Sequence, residues 1–197
     1  MTAAIPQADL DQLFESARTH NRWTDAPVDD ALLAKAYELA ALGPTSMNCQ
    51  PARFIFIKTE AAKARLLPTL APGNVEKTKT APVTVIVATD TRFYEHFPQT
   101  FPHNPAAKDM FASNAALAEA TAQRNGTLTG GYFLLALRAL GLDGGAMSGF
   151  DAAKLNAEFF PDGRFQANFL INVGHGDGSQ LFPRQPRLSF EQAVTVL

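Results

Sequence analysis

Residues 128–140, Leu-Thr-Gly-Gly-Tyr-Phe-Leu-Leu-Ala-Leu-Arg-Ala-Leu, form the stretch on which the fold turns. Tyr132, Phe133, Leu134, Leu135 and Leu137 leave too little polar surface for a helix lying on the outside of a domain, so this helix is central or is shared with a second subunit. Before it, 115–125 reads as another helix, separated from the first near Gly126. Towards the N-terminus, Leu10, Leu13, Phe14 and Ala17 repeat at helical spacing and predict a helix over 9–18. Asp29 is an N-cap for a helix that carries Leu32, Leu33, Ala36, Leu39 and Ala40 to a stop at Gly43-Pro44.

Strands are fewer. Phe54–Ile57, Val83–Val87 and Phe165–Val173 have the apolar density of buried strands, with a short helix from Thr59 to about Leu67 between the first two. Pro98, Pro102 and Pro105 predict an irregular loop over 97–105. The Pro- and Arg-rich tail 181–187 reads as extended, and Ser189 with Gln192 forms a capping box for a last short helix. Helices outnumber strands and do not alternate with them, which favours an α+β fold over a doubly wound parallel sheet.

The 197 residues match one domain, 1–197, at about 150 residues per domain. Seventeen basic and 19 acidic side chains leave a net charge of -2, so no overall positive field draws the chain to nucleic acid or anionic lipid. The apolar runs fall short of the ~20 residues that span a bilayer, and the N-terminal residues lack the pattern of a signal peptide. The expectation is a cytoplasmic protein with no membrane partner. Cys49 stands alone, which excludes an intrachain disulfide, and it reads as an inert small residue. His20, His96, His103 and His175 lack ligand spacing, so no metal is expected.

Few motifs carry chemistry by themselves. Gly174-His175-Gly176-Asp177-Gly178 follows a strand, but its spacing is wrong for a dinucleotide fingerprint and no helix follows to receive a pyrophosphate. The loop Gly43-Pro44-Thr45-Ser46-Met47-Asn48-Cys49-Gln50-Pro51 places hydroxyls and amides between prolines. It suits hydrogen bonding to a polar heterocycle, and equally an ordinary helix-to-strand connection. Arg18, Arg184 and Arg187 are isolated arginines suited to gripping a phosphate with their planar forks, or to lying solvated on the surface.

Taken together, several segments resemble the FMN-dependent nitroreductase superfamily: 17–21 with Trp23, 43–51, Gly73-Asn74-Val75-Glu76-Lys77, 141–143 with 147–150, and 183–188. Thr19-His20-Asn21, Phe101-Pro102-His103 and Met147-Ser148-Gly149-Phe150-Asp151 look like its malonic semialdehyde reductase branch in pyrimidine degradation. The resemblance implies a central, mostly antiparallel sheet flanked by helices, an extended C-terminal tail, and an intertwined homodimer with FMN at the subunit interface. It implies that Arg18, Arg184 and Arg187 hold the FMN phosphate, with Arg22 as the fallback for Arg18, and that Thr19, His20 and Asn21 adjoin the cofactor. It further implies that Thr45, Ser46 and Asn48 lie along the ribityl chain and ring, and that Asn74 and Lys77 reach the pyrimidine side. Met147, Ser148 and Gly149 are expected from the opposite subunit. Ala146 and Asn21 depart from the family pattern, which often has proline and a basic residue there.

The activity so implied is hydride transfer from NADH or NADPH through FMN to a small-molecule substrate, an aldehyde acid. Malonic semialdehyde would become 3-hydroxypropionate. A broad nitroaromatic or quinone reductase and a non-catalytic FMN-binding protein are the alternatives. His20 is a candidate proton donor, and Arg124 a candidate for the substrate carboxylate.

Overall fold

The computed structural model describes residues 3–197. Strands β1 (Ala52–Ile57), β2 (Val83–Asp90), β3 (Asp143–Met147) and β4 (Phe165–Gly174) form one sheet in the order β1-β2-β4-β3. Every pairing is antiparallel. Around it lie α1 (Gln7–Leu10), α2 (Asp30–Ala41), α3 (Glu60–Leu66), α4 (Pro72–Thr80), α5 (Phe97–Thr100), α6 (Ala106–Ala112), α7 (Ala115–Ala139), α8 (Ala152–Phe159) and α9 (Phe190–Ala193). The α+β architecture expected from the sequence is what forms.

All eight residues of β2 are buried, because helices cover both faces of the sheet. On one face Val83, Val85 and Val87 pack with Ile171 and Val173 of β4, Leu33 and Ala36 of α2, and Phe133 and Leu137 of α7. On the other, Ile86 and Ala88 meet Leu170, Met147, Leu66 of α3 and Leu155 of α8. The apolar stretch 128–140 is therefore central. Phenylalanine has a third use: Phe93, Phe97 and Phe111 pack edge to face with one another, in one cluster with Cys49 and with Ala118 and Ala122 of α7.

Several expectations need correction. Residues 115–139 are one helix, not two. Gly126 is there for close packing: a Cβ at that position would lie 2.4 Å from Thr89 Cγ2. The helix expected over 9–18 is shorter, α1 running into a single wide turn over Asp11–Glu15. Arginines take the carbonyls that another turn would use, Arg138 at Leu13 O and Arg184 at Glu15 O and Ala17 O. The segment 97–105 is not wholly irregular, since α5 opens it with Pro98 in the first turn, where no amide donor is needed.

β3, α4, α6 and α8 also went unread in the sequence. β3 has the glycine-rich sequence Asp-Gly-Gly-Ala-Met, and α4 lacks apolar periodicity, Val75 being its one large apolar side chain. α8 carries a legible signal, Asp151 accepting from Lys154 N as N-cap. The capping box at Ser189 and Gln192 forms, and the tail 181–189 before it carries neither helix nor strand.

Candidate functional site

α4 is built by its neighbours. Pro72 opens it where a missing donor is harmless, and Lys77 and Lys79 occupy its last turn, where cations suit the helix dipole. Lys63 reaches over from α3 to donate to Lys79 O and Ala81 O at its C-terminal end. Burial pushes the Lys63 ammonium below the ordinary lysine pKa. Trp23 Nε1 donates to Lys77 O at 3.0 Å, taking up a carbonyl of the last turn. Beneath it, Thr84 Oγ1 donates to Asn172 Oδ1 at 2.8 Å and Asn172 Nδ2 to Thr78 Oγ1 at 3.1 Å, a buried network with its polar atoms matched.

The start of α4 is tied to the exit of β3. Asn74 Nδ2 and Ala71 N both donate to Gly149 O, at 2.8 and 3.0 Å. A Cβ on Gly149 would stand 2.5 Å from Asn74 Nδ2, so a larger residue there would displace the Asn74 amide from this bond. Met147 is buried under Thr78, while Ser148 is exposed at the lip. This corrects the expected division between subunits: Asn74 and Gly149 touch within one chain, because β3 beside β4 delivers 147–149 directly to α4.

Beside α4 opens a cavity of about 510 Å³ lined by Asn21, Arg22, Gly73, Glu76, Lys77 and Phe182. The Lys77 ammonium is partly withdrawn from water, which lowers its pKa. Among the described residues no carboxylate lies within 4.0 Å of it. A partly desolvated cation in a cleft, with no carboxylate within ion-pair distance, is a candidate position for an external anion. A larger cavity of about 600 Å³, between α6, α7 and the end of β2, has no cation among its lining residues.

His20 is buried, with Nε2 3.4 Å from Asp143 Oδ1 and Nδ1 3.4 Å from Asp177 O. Gly176 lies so close that its Cβ would overlap the imidazole ring at 2.2 Å. These contacts make His20 a latch that holds 18–22 against the β4 exit, and the exposed Thr19 rests its methyl near Gly145. Arg18 donates to Phe182 O, and Arg184 to Glu15 O and Ala17 O, so the tail is pinned beside the N-terminal segment and two of the three phosphate candidates are brought together. Arg187 is not among them; it donates to Gln185 O and Pro186 O of its own tail.

Thr45, Ser46 and Asn48 stand apart from this cavity. Ser46 N donates to Asn125 Oδ1 of α7 at 2.8 Å, Asn48 Nδ2 to Thr100 O at 2.8 Å, and Thr45 lines a small recess with Tyr37 and Arg53. Arg124 is exposed on α7. Cys49 is buried, which pushes its thiol up to about 11, and it is inert at neutral pH. The sequence passed over Glu76 and Phe182 as lining residues; the interval from Pro72 to the two lysines of a last helical turn was the signal that could have found the helix bearing Glu76.

At the edge of the antiparallel sheet, the exit of β3 and the start of α4 meet at Gly149 and Asn74, beside the cleft lined by Lys77. Residues 2–175 match the profile of the Nitroreductase family. A candidate NADH dehydrogenase/NAD(P)H nitroreductase of Polynucleobacter asymbioticus is 53% identical over 197 residues, covering 100% of each chain. Another from Burkholderia lata is 56% identical over 192 residues, covering 98% of each. Among solved structures, a candidate nitroreductase from Exiguobacterium sibiricum in complex with FMN aligns over 100% of this chain and 99% of that one, with a TM-score of 0.83 at 19% identity. A Bacillus subtilis candidate nitroreductase aligns over 98% and 100%, with a TM-score of 0.86 at 22% identity. The chain belongs to the Nitroreductase family.

Proposed function

We propose that this chain is an FMN-dependent NAD(P)H oxidoreductase, active as a homodimer, that reduces a small aldehyde acid, malonic semialdehyde to 3-hydroxypropionate. The observation that carries the reading is Lys77, a cation with no carboxylate partner among the described residues, in a cleft shared with Arg22 and Asn21. FMN suits that donor set: its phosphate asks for arginine, and its ring asks for amides, backbone groups and one cation at the pyrimidine side. Bound in this cleft, FMN would supply hydride transfer from NADH or NADPH to the substrate carbonyl carbon, with a proton from solvent or a side chain completing the alcohol at the carbonyl oxygen.

The protein's own part is position and charge. Arg18 and Arg184 bind the phosphate from adjoining strands of backbone, Asn74 orients Gly149, and Lys77 stabilises negative charge that gathers beside it on reduction. A homodimer is supported by the separation of two groups of candidates within one chain, the Thr45–Asn48 loop and the α4 cleft. Phe182, Leu188 and Phe190, at 72%, 70% and 64% exposure, give the tail apolar surface for a second copy to cover.

The names of the relatives favour a second reading, a broad nitroaromatic or quinone reductase using the same residues. Steady-state turnover of malonic semialdehyde and of a nitroaromatic by one preparation separates the two. A higher kcat/KM for the aldehyde acid is expected. A nitroaromatic preferred by tenfold or more, about 1.4 kcal/mol of transition-state discrimination, would replace the proposed substrate.

A further inference from the structure

A buried carboxylate outside the cleft sits at the end of β2. Asp90 is fully buried. Its Oδ1 accepts from Arg92 N at 2.9 Å and Arg164 Nε at 2.7 Å, and its Oδ2 from Arg53 Nη2 at 2.7 Å and Arg164 Nη2 at 3.0 Å. Its backbone N–H donates to Pro51 O at 2.8 Å, where the loop 45–51 enters β1. A carboxylate so far from water requires paired cations, and two guanidinium forks supply them.

Arg53 has a second arm. Its Nη1 donates to Gln50 O at 2.9 Å and to Ala52 O at 2.8 Å. The loop it grips is strained: Met47, Asn48 and Gln50 have φ of 53°, 49° and 40°, three non-glycine residues in the left-handed region within four positions. Such backbone persists where its surroundings over-determine it. Here Gln50 N donates to Thr45 Oγ1 at 3.2 Å, Ser46 N to Asn125 Oδ1, and Asn48 Nδ2 to Thr100 O, while Arg53 adds a charged tie to a buried anchor. The same anchor reaches the other side of the loop. Arg164 bridges Asp90 to Glu95, and Glu95 lies just before α5, whose Thr100 O receives Asn48.

We propose that Arg53, anchored on Asp90, is a positioning residue that holds 45–50 in the strained shape with which Thr45, Ser46 and Asn48 meet the flavin. The inference rests on the FMN reading for its purpose and on the loop geometry for its mechanism. Lysine at position 53 can pair with Asp90, but an ammonium cannot reproduce the planar fork that joins that carboxylate to two carbonyls. Arg53→Lys therefore keeps the charge of the anchor and releases the loop.

The test compares wild type with Arg53→Lys, both reconstituted with FMN. Amide hydrogen exchange is followed across the chain, alongside the FMN dissociation constant and the visible circular dichroism of the saturated flavin. Faster exchange by about tenfold at residues 46–50, with α7 unchanged, is expected, as is about tenfold weaker FMN binding, the loss of roughly one charge-assisted hydrogen bond. The dichroism of the saturated flavin shifts as its surroundings relax. Unchanged exchange at 46–50, or acceleration spread evenly over the chain, overturns the clamp. So does wild-type affinity and dichroism in the variant. If wild type itself takes up no FMN, the cofactor reading fails, and the exchange pattern alone decides whether Arg53 holds the loop. Should Arg53→Lys fail to fold, Asp90→Asn, an isosteric change that weakens the same tie, is judged by the same exchange and FMN readouts.

Discussion

Lys77 is the side chain whose removal separates binding from chemistry. Lys77→Met keeps the apolar stem and deletes the charge, so packing changes little. The ammonium interacts most with negative charge that develops on reduction, and interactions realised late in a reaction affect its rate more than they affect binding. Stopped-flow reduction by NADH is expected to slow by about tenfold or more, the worth of roughly one charged hydrogen bond, with a smaller change in FMN affinity. The pH dependence has a definite sign. Burial lowers the Lys77 pKa, so its charge is present below that lowered value and is lost on alkaline titration before that of a solvent-exposed lysine. Reduction by wild type should fall on that alkaline limb, and in Lys77→Met the limb should be absent. A limb of the same shape in both proteins assigns the titration to another group. Asn74 and Lys77 were legible in the sequence as a spaced pair in a motif. The helix that presents them was not, because its stability comes from Trp23, Lys63 and Asn74 contacts rather than from any apolar stripe.

α7 shows how far an element can be read from composition. Its apolar C-terminal half announced a central helix, and the structure buries Phe133 and Leu137 completely. Gly126 announced a break that does not occur, because a glycine's signature for a chain reversal and for close packing is the same in sequence and differs only in the neighbour. Helix propensity alone would make Gly126→Ala stabilising by about 1 kcal/mol. The Thr89 methyl lies where the new Cβ would go, and overpacking of this kind costs typically 1–3 kcal/mol. Gly126→Ala is therefore expected to lower the thermal midpoint, read by circular dichroism; a raised midpoint would show that β2 yields to the methyl. The strands were read wherever they carry a continuous apolar run, β1 included although only its Ile57 is buried, and β3 was not, since Gly144 and Gly145 leave nothing for a periodicity to register.

At the scale of the whole molecule, the sequence grouped the candidate residues by motif, and the resemblance assigned Met147, Ser148 and Gly149 to the opposite subunit. Asn74 beside Gly149 ties those two segments to one chain, and the loop bearing Asn48 packs on α7 and Thr100 instead. In the proposed dimer the two groups face each other across the interface, so defects in different groups complement. Co-refolded Lys77→Met and Asn48→Ala chains should gain about a quarter of wild-type activity above the residual of the two variants, since half the dimers are mixed and each mixed dimer has one intact site. No recovery, with mixed dimers demonstrated by mass, would place both groups of a site in the same chain.

The central claim is that this chain binds FMN and reduces it with a nicotinamide. The measurement is anaerobic: protein reconstituted with FMN and freed of excess flavin is mixed with NADH, then NADPH, and its visible flavin absorption is followed. A yellow protein that bleaches within the mixing experiment with at least one of the two, and regains colour when malonic semialdehyde is added, is expected. A protein that takes up no flavin, or one that stays yellow with both nucleotides while dithionite bleaches it, contradicts the account.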